Sequence, residues 1–165
     1  MKPFTLRLTL LVLTFGLALP AYSQGTDSKT TPKTYAQKLV DDAMAKYPDV
    51  VILAMHAKTQ SDPNYPIIAW GGPTGGKVRM GKKADEDDMR VINTGKENLE
   101  VSPNGKHFEV ELPLQDANKT TIGALGVVFN YKPGDDKAAY QKKAEQLRDE
   151  LREQIPSADK LTEAR

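Results

Sequence analysis

Val50-Val51-Ile52-Leu53-Ala54-Met55-His56-Ala57-Lys58 and Thr121-Ile122-Gly123-Ala124-Leu125-Gly126-Val127-Val128-Phe129-Asn130-Tyr131 are the two stretches that decide the fold. In the first, Val51, Leu53 and Met55 alternate with Val50, Ile52 and Ala54, so both faces of an extended strand are apolar. The second is apolar in the same two-sided way. A strand buried on both faces belongs in the middle of a sheet, and the two are expected to be adjacent central strands. Gly123 and Gly126 are expected to leave room there for packing from one face.

Outward from these strands the pattern changes. Phe108, Val110, Leu112 and Leu114 alternate with His107, Glu109, Glu111 and Pro113, which predicts a half-buried strand with its charged face in solvent. Pro103-Asn104-Gly105-Lys106 carries the Asn-Gly hairpin signature and joins it to a short strand over Asn98–Val101. Pro66–Trp70 reads as another short strand after the turn Asp62-Pro63-Asn64. Thr34 is an N-cap with Gln37 at the capping-box position, and Ala36, Leu39, Val40, Ala43 and Tyr47 follow helical spacing up to Pro48. Asp85 to Asn93 predicts a short helix with acids in its first turn, where the helix dipole favours them, and Gly95 stops it. Tyr140, Ala144, Leu147, Leu151 and Ile155 form the apolar stripe of a long final helix that ends at Pro156. The expected fold is α+β: a five-stranded, mainly antiparallel sheet with the N-terminal and long C-terminal helices on one face. The middle insertion covers the other.

That element order resembles the PAS-like Cache (PDC-type) domain, the extracellular sensor module of bacterial receptors, here in a freestanding secreted form. The resemblance rests on Val91-Ile92-Asn93-Thr94-Gly95-Lys96, on Glu109-Val110-Glu111-Leu112-Pro113-Leu114-Gln115-Asp116, and on the Ile122-Gly123-Ala124-Leu125-Gly126-Val127-Val128 strand that follows. By element order it spans most of residues 35 to 155. It implies a five-stranded PAS-like sheet over residues 34–165 and a ligand pocket between that sheet and the 65–95 insertion. It does not specify the occupant, because the aromatic-rich run around an Arg that marks amino-acid-binding members is not recognisable.

The first residues point to export. Lys2 and Arg7 precede an apolar stretch from Leu8 to Ala18, Pro20 ends it, and Ala21-Tyr22-Ser23 fits a cleavage site ahead of Gln24. This is the layout of a signal peptide over residues 1–23, with an apolar core short of the roughly 20 residues a spanning helix needs. Gln24 to Lys33, rich in Thr, Ser, Gly and Asp, reads as a disordered leader. The sequence contains no Cys, which excludes disulfides, zinc thiolates and thiol catalysis, and an exported chain without disulfides fits a bacterial periplasm or medium. After cleavage the 23 basic residues fall to 21 against 22 acidic ones, a balance that makes no case for nucleic acid or an anionic membrane.

Gly71-Gly72-Pro73-Thr74-Gly75-Gly76-Lys77 has the spacing of a phosphate loop, but Val78 follows where a magnesium-holding hydroxyl is required. A flexible basic flap over a pocket is the better reading. His56 and His107 are the only histidines, too few for a metal site at recognisable spacing, and Asp85-Glu86-Asp87-Asp88 lacks the calcium-loop spacing. No cofactor or metal is expected. His107 is expected in solvent with Glu109 and Glu111, and His56 either as a core-edge histidine or as a polar anchor at the pocket mouth. Tyr65 and Trp70 supply aromatic surface to the insertion, and Arg79, Lys82, Lys83 and Arg90 supply positive charge. Ligand pockets are mostly apolar with a few placed polar groups, so His56, Tyr65, Trp70, Arg79 and Arg90 are the expected ligand-binding residues, for an anionic or carboxylate ligand. The competing reading has Trp70 plugging the core and the cations solvating a loop. Two other classes stay open: a periplasmic partner of a membrane receptor or transporter, and a small α+β hydrolase or isomerase using His56 with an acid from Asp85–Asp88.

Overall fold

The computed structural model describes residues 33–73 and 79–165. The expected signal peptide, the leader up to residue 32 and the tip of the glycine-rich loop (74–78) lie outside the described residues. The elements are α1 (Tyr35–Lys46), β1 (Val50–Ala57), β2 (Ile67–Gly71), α2 (Glu86–Thr94), β3 (Asn98–Val101), β4 (His107–Gln115), β5 (Thr121–Asn130), α3 (Lys137–Gln154) and a short α4 (Ala158–Leu161). The strands form one sheet in the order β2-β1-β5-β4-β3, with every neighbouring pair antiparallel. β1 and β5 are adjacent at its centre, as two-sided apolarity requires.

Side chains on alternate residues of each strand face opposite sides of the sheet. Leu53, Met55, Val110, Leu112, Leu125 and Val127 turn to one side and join Leu39, Val40, Ala144, Leu147 and Leu151 from α1 and α3 in the main core. α1 lies over β1 and β2, α3 lies over β4 and β5, and α2 packs on the opposite face against β4 and β5. Both faces of the middle of the sheet are therefore covered. Among the described residues, no helix is long and apolar enough to cross a membrane.

Thr34 caps α1, its Oγ1 accepting from the Gln37 amide at 3.2 Å. The Gln37 side chain does not return to the cap as a capping box requires. It bonds the edge strand instead: its Nε2 donates to the Trp70 carbonyl at 2.9 Å and its Oε1 accepts from the Trp70 amide at 3.1 Å. An edge strand leaves backbone groups without partners, and a covered one is costly to leave unmet. One glutamine satisfies both groups and fixes the start of α1 against β2.

At α2 the cap is complete. Asp85 accepts from the amides of Asp87 and Asp88 at 3.2 and 3.3 Å, and the Asp88 carboxylate accepts from the Asp85 amide at 3.0 Å. Gly95 ends the helix at φ 66°, a left-handed conformation that glycine adopts without steric cost. The C-terminal turn was not visible in the sequence pattern: Leu161 of α4 is fully buried, and the Tyr35 amide donates to the Glu163 carbonyl at 2.8 Å. One buried residue in a four-residue helix is too little periodicity to read.

Gly123 departs from expectation. The space it leaves is filled by the backbone of β1, not by packing from a face, since a Cβ there would lie 1.7 Å from the His56 carbonyl oxygen. Gly126 does open a face: a Cβ there would lie 3.0 Å from Glu109 Oε1.

Candidate functional site

The second face of the sheet carries two rows of side chains that run across the strands. The cross-strand pairing lines up Trp70, Ala54, Gly126, Glu111 and Asn98 in one row, and Ile52, Val128, Glu109 and Glu100 in the next. His56 sits one step further along β1 on the same face. Between these rows and the segment from Arg79 to Asp88 lies a cleft of about 220 Å³. The small residues Ala54 and Gly126 form its floor, and the larger groups around them form its walls. A smaller crevice of about 110 Å³ between α1 and α3 is lined by core leucines and rimmed by the Lys46–Glu150 ion pair.

The cleft is acidic. Asp85, Asp87, Asp88, Glu100, Glu109 and Glu111 line it, against Arg79, Lys82 and His56. Asp88 and Glu111 are buried, at 7% and 8% exposure. Burial, with repulsion from Asp88, Glu100 and Asp85, pushes the Glu109 carboxyl up to about 6, and Lys82 holds it down in part. Burial likewise pushes Glu111 up to about 7; the Asn98 amide holds it down in part, and Glu109, Asp88 and Asp85 add to the rise. Burial raises Asp88 as well, with His56 opposing. Among the described residues, no Lys or Arg nitrogen lies within 4.0 Å of the Glu109 or Glu111 carboxylate. Buried carboxylates without counter-charges destabilise a fold, and perturbed titration in a cleft is characteristic of functional sites.

His56 is held by its neighbours. Its Nδ1 lies 2.8 Å from the Tyr65 carbonyl oxygen, which only accepts, so Nδ1 carries the proton and donates. Tyr65 reaches that position with φ at 51°, a left-handed conformation that costs a non-glycine residue roughly 1–2 kcal/mol. Strain of this kind persists where the surrounding structure imposes it. The remaining ring nitrogen, Nε2, lies 3.6 Å from Asp88 Oδ2.

Of the five residues singled out in the sequence, the cleft brings together His56, Trp70 and Arg79. The Arg79 guanidinium lies 5.6 Å from the Trp70 ring centroid, within cation–π range. Tyr65 and Arg90 do not line the cleft. Tyr65 contributes its carbonyl, while its ring faces the Lys58 ammonium at 4.9 Å. Arg90 sits beside the cleft, where its guanidinium bonds Asp87 and the Asn98 side-chain carbonyl, each at 2.8 Å. The pair set aside for a hydrolase, His56 with an acid of the Asp85–Asp88 turn, does come together as His56 and Asp88. No Ser, Thr or Cys lines the cleft among the described residues to serve as its nucleophile.

Glu109 and Glu111 correct the sequence reading. They were expected in solvent because they alternate with apolar residues, but alternation tells only that the two faces differ. α2 covers the second face, so the glutamates line the cleft. The signal was present one strand away: if β5 is apolar on both faces, its neighbour β4 lies under cover on both faces too. The charge balance also runs against the expected anionic ligand. Six carboxylates surround the space, Lys82 is 4.0 Å from Asp85, and Arg79 is stacked toward Trp70.

No family model matches the sequence, and no curated protein matches it. Solved structures do resemble it in shape. The repressor BlcR of Agobacterium tumefaciens superposes with a TM-score of 0.52 at 7% identity, over 73% of this chain and 67% of that one. A GAF domain gives 0.49 at 14% identity over 77% and 75%, and a GAF domain region from Geobacter sulfurreducens gives 0.47 at 10% over 70% and 92%. At such identities the likeness is one of fold alone. The architecture is the expected PAS-like α+β sheet, and the matches do not single out the Cache family.

Proposed function

We propose that this chain is an exported binding or sensing module, of Cache-like type, that takes a small cationic ligand into the cleft between the sheet and α2. The observation that carries the reading is the pair Glu109, half-buried, and Glu111, buried, which line the cleft with no Lys or Arg nitrogen within 4.0 Å of either carboxylate among the described residues. A fold retains such a destabilising arrangement when a ligand supplies the missing charge, and a buried charge-assisted hydrogen bond contributes about 1.5–3 kcal/mol. Ala54 and Gly126 keep the floor low, Trp70 supplies an aromatic wall, and His56 supplies a fixed nitrogen. Export rests on the signal-peptide pattern of residues 1–23.

The test is thermal denaturation of the mature chain against small molecules grouped by charge, beside an Ala54→Phe variant that fills the cleft from its floor. Cationic compounds such as diamines and amino alcohols are expected to raise the midpoint by mass action, carboxylates to leave it unchanged, and Ala54→Phe to abolish the response. A response confined to carboxylates, or one that Ala54→Phe does not reduce, contradicts the proposal.

A further inference from the structure

Along the cleft, three carboxylates converge and an imidazole lies against one of them. Asp85, Asp88 and Glu111 each place an oxygen within 4.8 Å of the others. Independently of this acidic cluster, His56 is 6% exposed and presents Nε2 toward Asp88, with no hydrogen-bond partner for that nitrogen among the described residues. Because Nδ1 donates to the Tyr65 carbonyl, Nε2 of the neutral ring is a lone pair. It faces the Asp88 carboxylate, another acceptor, at 3.6 Å. Two acceptors opposed in a covered site repel unless a cation lies between them. A proton on Nε2 pairs only with Asp88 and leaves the buried Glu111 without a cation within 4.0 Å, whereas a metal ion answers His56, Asp88 and Glu111 together and draws on Asp85, which is exposed and has Lys82 at 4.0 Å.

We propose that His56, Asp85, Asp88 and Glu111 form a binding site for a divalent first-row transition-metal ion. The inference rests on the reading of the cleft as a cation site and names the cation. Bonds of about 2.1 Å to nitrogen and oxygen separate neighbouring ligand atoms by roughly 3.0–3.4 Å, close to the 3.6 Å between His56 and Asp88. The supporting hydrogen bonds are of the kind that orient metal ligands: the Tyr65 carbonyl fixes the imidazole, Asn98 donates to Glu111 Oε2 at 3.1 Å, and the capping box ties Asp85 to Asp88. Mixed imidazole and carboxylate ligation favours zinc, manganese, cobalt or nickel over calcium and magnesium, which take oxygen alone.

The test is calorimetric titration of the purified, chelator-stripped chain with Zn²⁺, Mn²⁺ and Co²⁺, with Mg²⁺ as control, and the visible absorption of the Co²⁺ form. One ion per chain is expected to bind. His56→Ala and Glu111→Gln should each weaken binding by at least about tenfold, and His107→Ala should not. Glu111→Gln should fold at least as stably as the parent in chelator, so that loss of binding is not loss of fold. The proposal is overturned if none of the three ions binds at millimolar concentration, or if binding survives both His56→Ala and Glu111→Gln. If metals fail while diamines still raise the midpoint in an Ala54-dependent way, the metal site is wrong and the cleft reading stands. If both fail, both fall.

Discussion

Gly123→Ala is expected to prevent the domain from folding to its native sheet. The added Cβ would sit 1.7 Å from the His56 carbonyl oxygen, 2.8 Å from its carbonyl carbon and 3.2 Å from the Ala57 Cα. All three atoms are backbone of β1, so no rotamer change relieves the contact. The two central strands have to separate where β5 crosses the end of β1. The cost is at least about 3 kcal/mol, beyond ordinary overpacking, which side-chain shifts relieve in part. Gly126→Ala is the control on the same strand. Its Cβ meets Glu109 Oε1 at 3.0 Å and Ala54 Cβ at 3.9 Å, and the end of a glutamate can swing away. Circular dichroism and urea denaturation should show Gly126→Ala folded with a small change in midpoint, and Gly123→Ala unfolded or expressed only in inclusion bodies. A folded Gly123→Ala with parental stability contradicts the β1–β5 register.

Phe129→Ala is the second large effect, about 3–5 kcal/mol. Phe129 is fully buried and pairs across the sheet with Val50 on one side and Phe108 on the other. Its ring stacks on Tyr140 with centroids 4.8 Å apart, and Tyr140 belongs to α3. Truncation removes the contact that ties the first turn of α3 to the central strand and leaves a cavity that main-chain neighbours cannot close. Tyr140→Ala should cost less, because Tyr140 is only partly buried and sits at the edge of the same cluster. Chemical denaturation of the two variants gives the order. Equal losses would mean that the aromatic cluster, not burial of Phe129, sets the stability here.

The sheet was legible in the sequence because its periodicities are strong. β1 and β5 announce their central place by apolar residues on both faces, and the Asn104-Gly105 turn fixes the β3–β4 hairpin. The helix cap at Thr34 was legible for the same local reason, since a cap needs only a few adjacent residues; Asp85, read as a first-turn acid, is itself the cap of α2. The cleft was legible in part. His56, Trp70 and Arg79 stood out by residue type and by their place near the insertion. Glu109 and Glu111 did not, because burial of a charged strand face depends on a helix some 20 residues away in sequence. Arg90 is beside the cleft and not among its lining residues for a related reason: its helix was foreseen, but which of its residues reach the floor depends on α2 packing through Val91 and Asp88. With the glutamates placed in solvent the space read as basic; with them lining it, six carboxylates stand against Arg79, Lys82 and His56.

The most direct test of a cleft that keeps its carboxylates for a cation is the stability of Glu109→Gln/Glu111→Gln across pH, measured by urea denaturation in chelator. Both carboxyls titrate higher in the folded protein, at about 6 and about 7, than in an unfolded chain near 4.5. The folded state therefore binds more protons than the unfolded one between those values, and the parent loses stability as pH rises through that window. Below it both carboxyls are protonated in either state and the loss disappears. Glutamine keeps the shape and the acceptor for Asn98 but removes the charge. At pH 8 the double variant should be more stable than the parent by about 1–2 kcal/mol, a figure reduced for the solvent that reaches both groups. The two proteins should converge as pH falls toward 4.5. A double variant that is less stable than the parent at pH 8 would mean that the glutamates hold the fold together, and the cleft would then have no claim to a ligand.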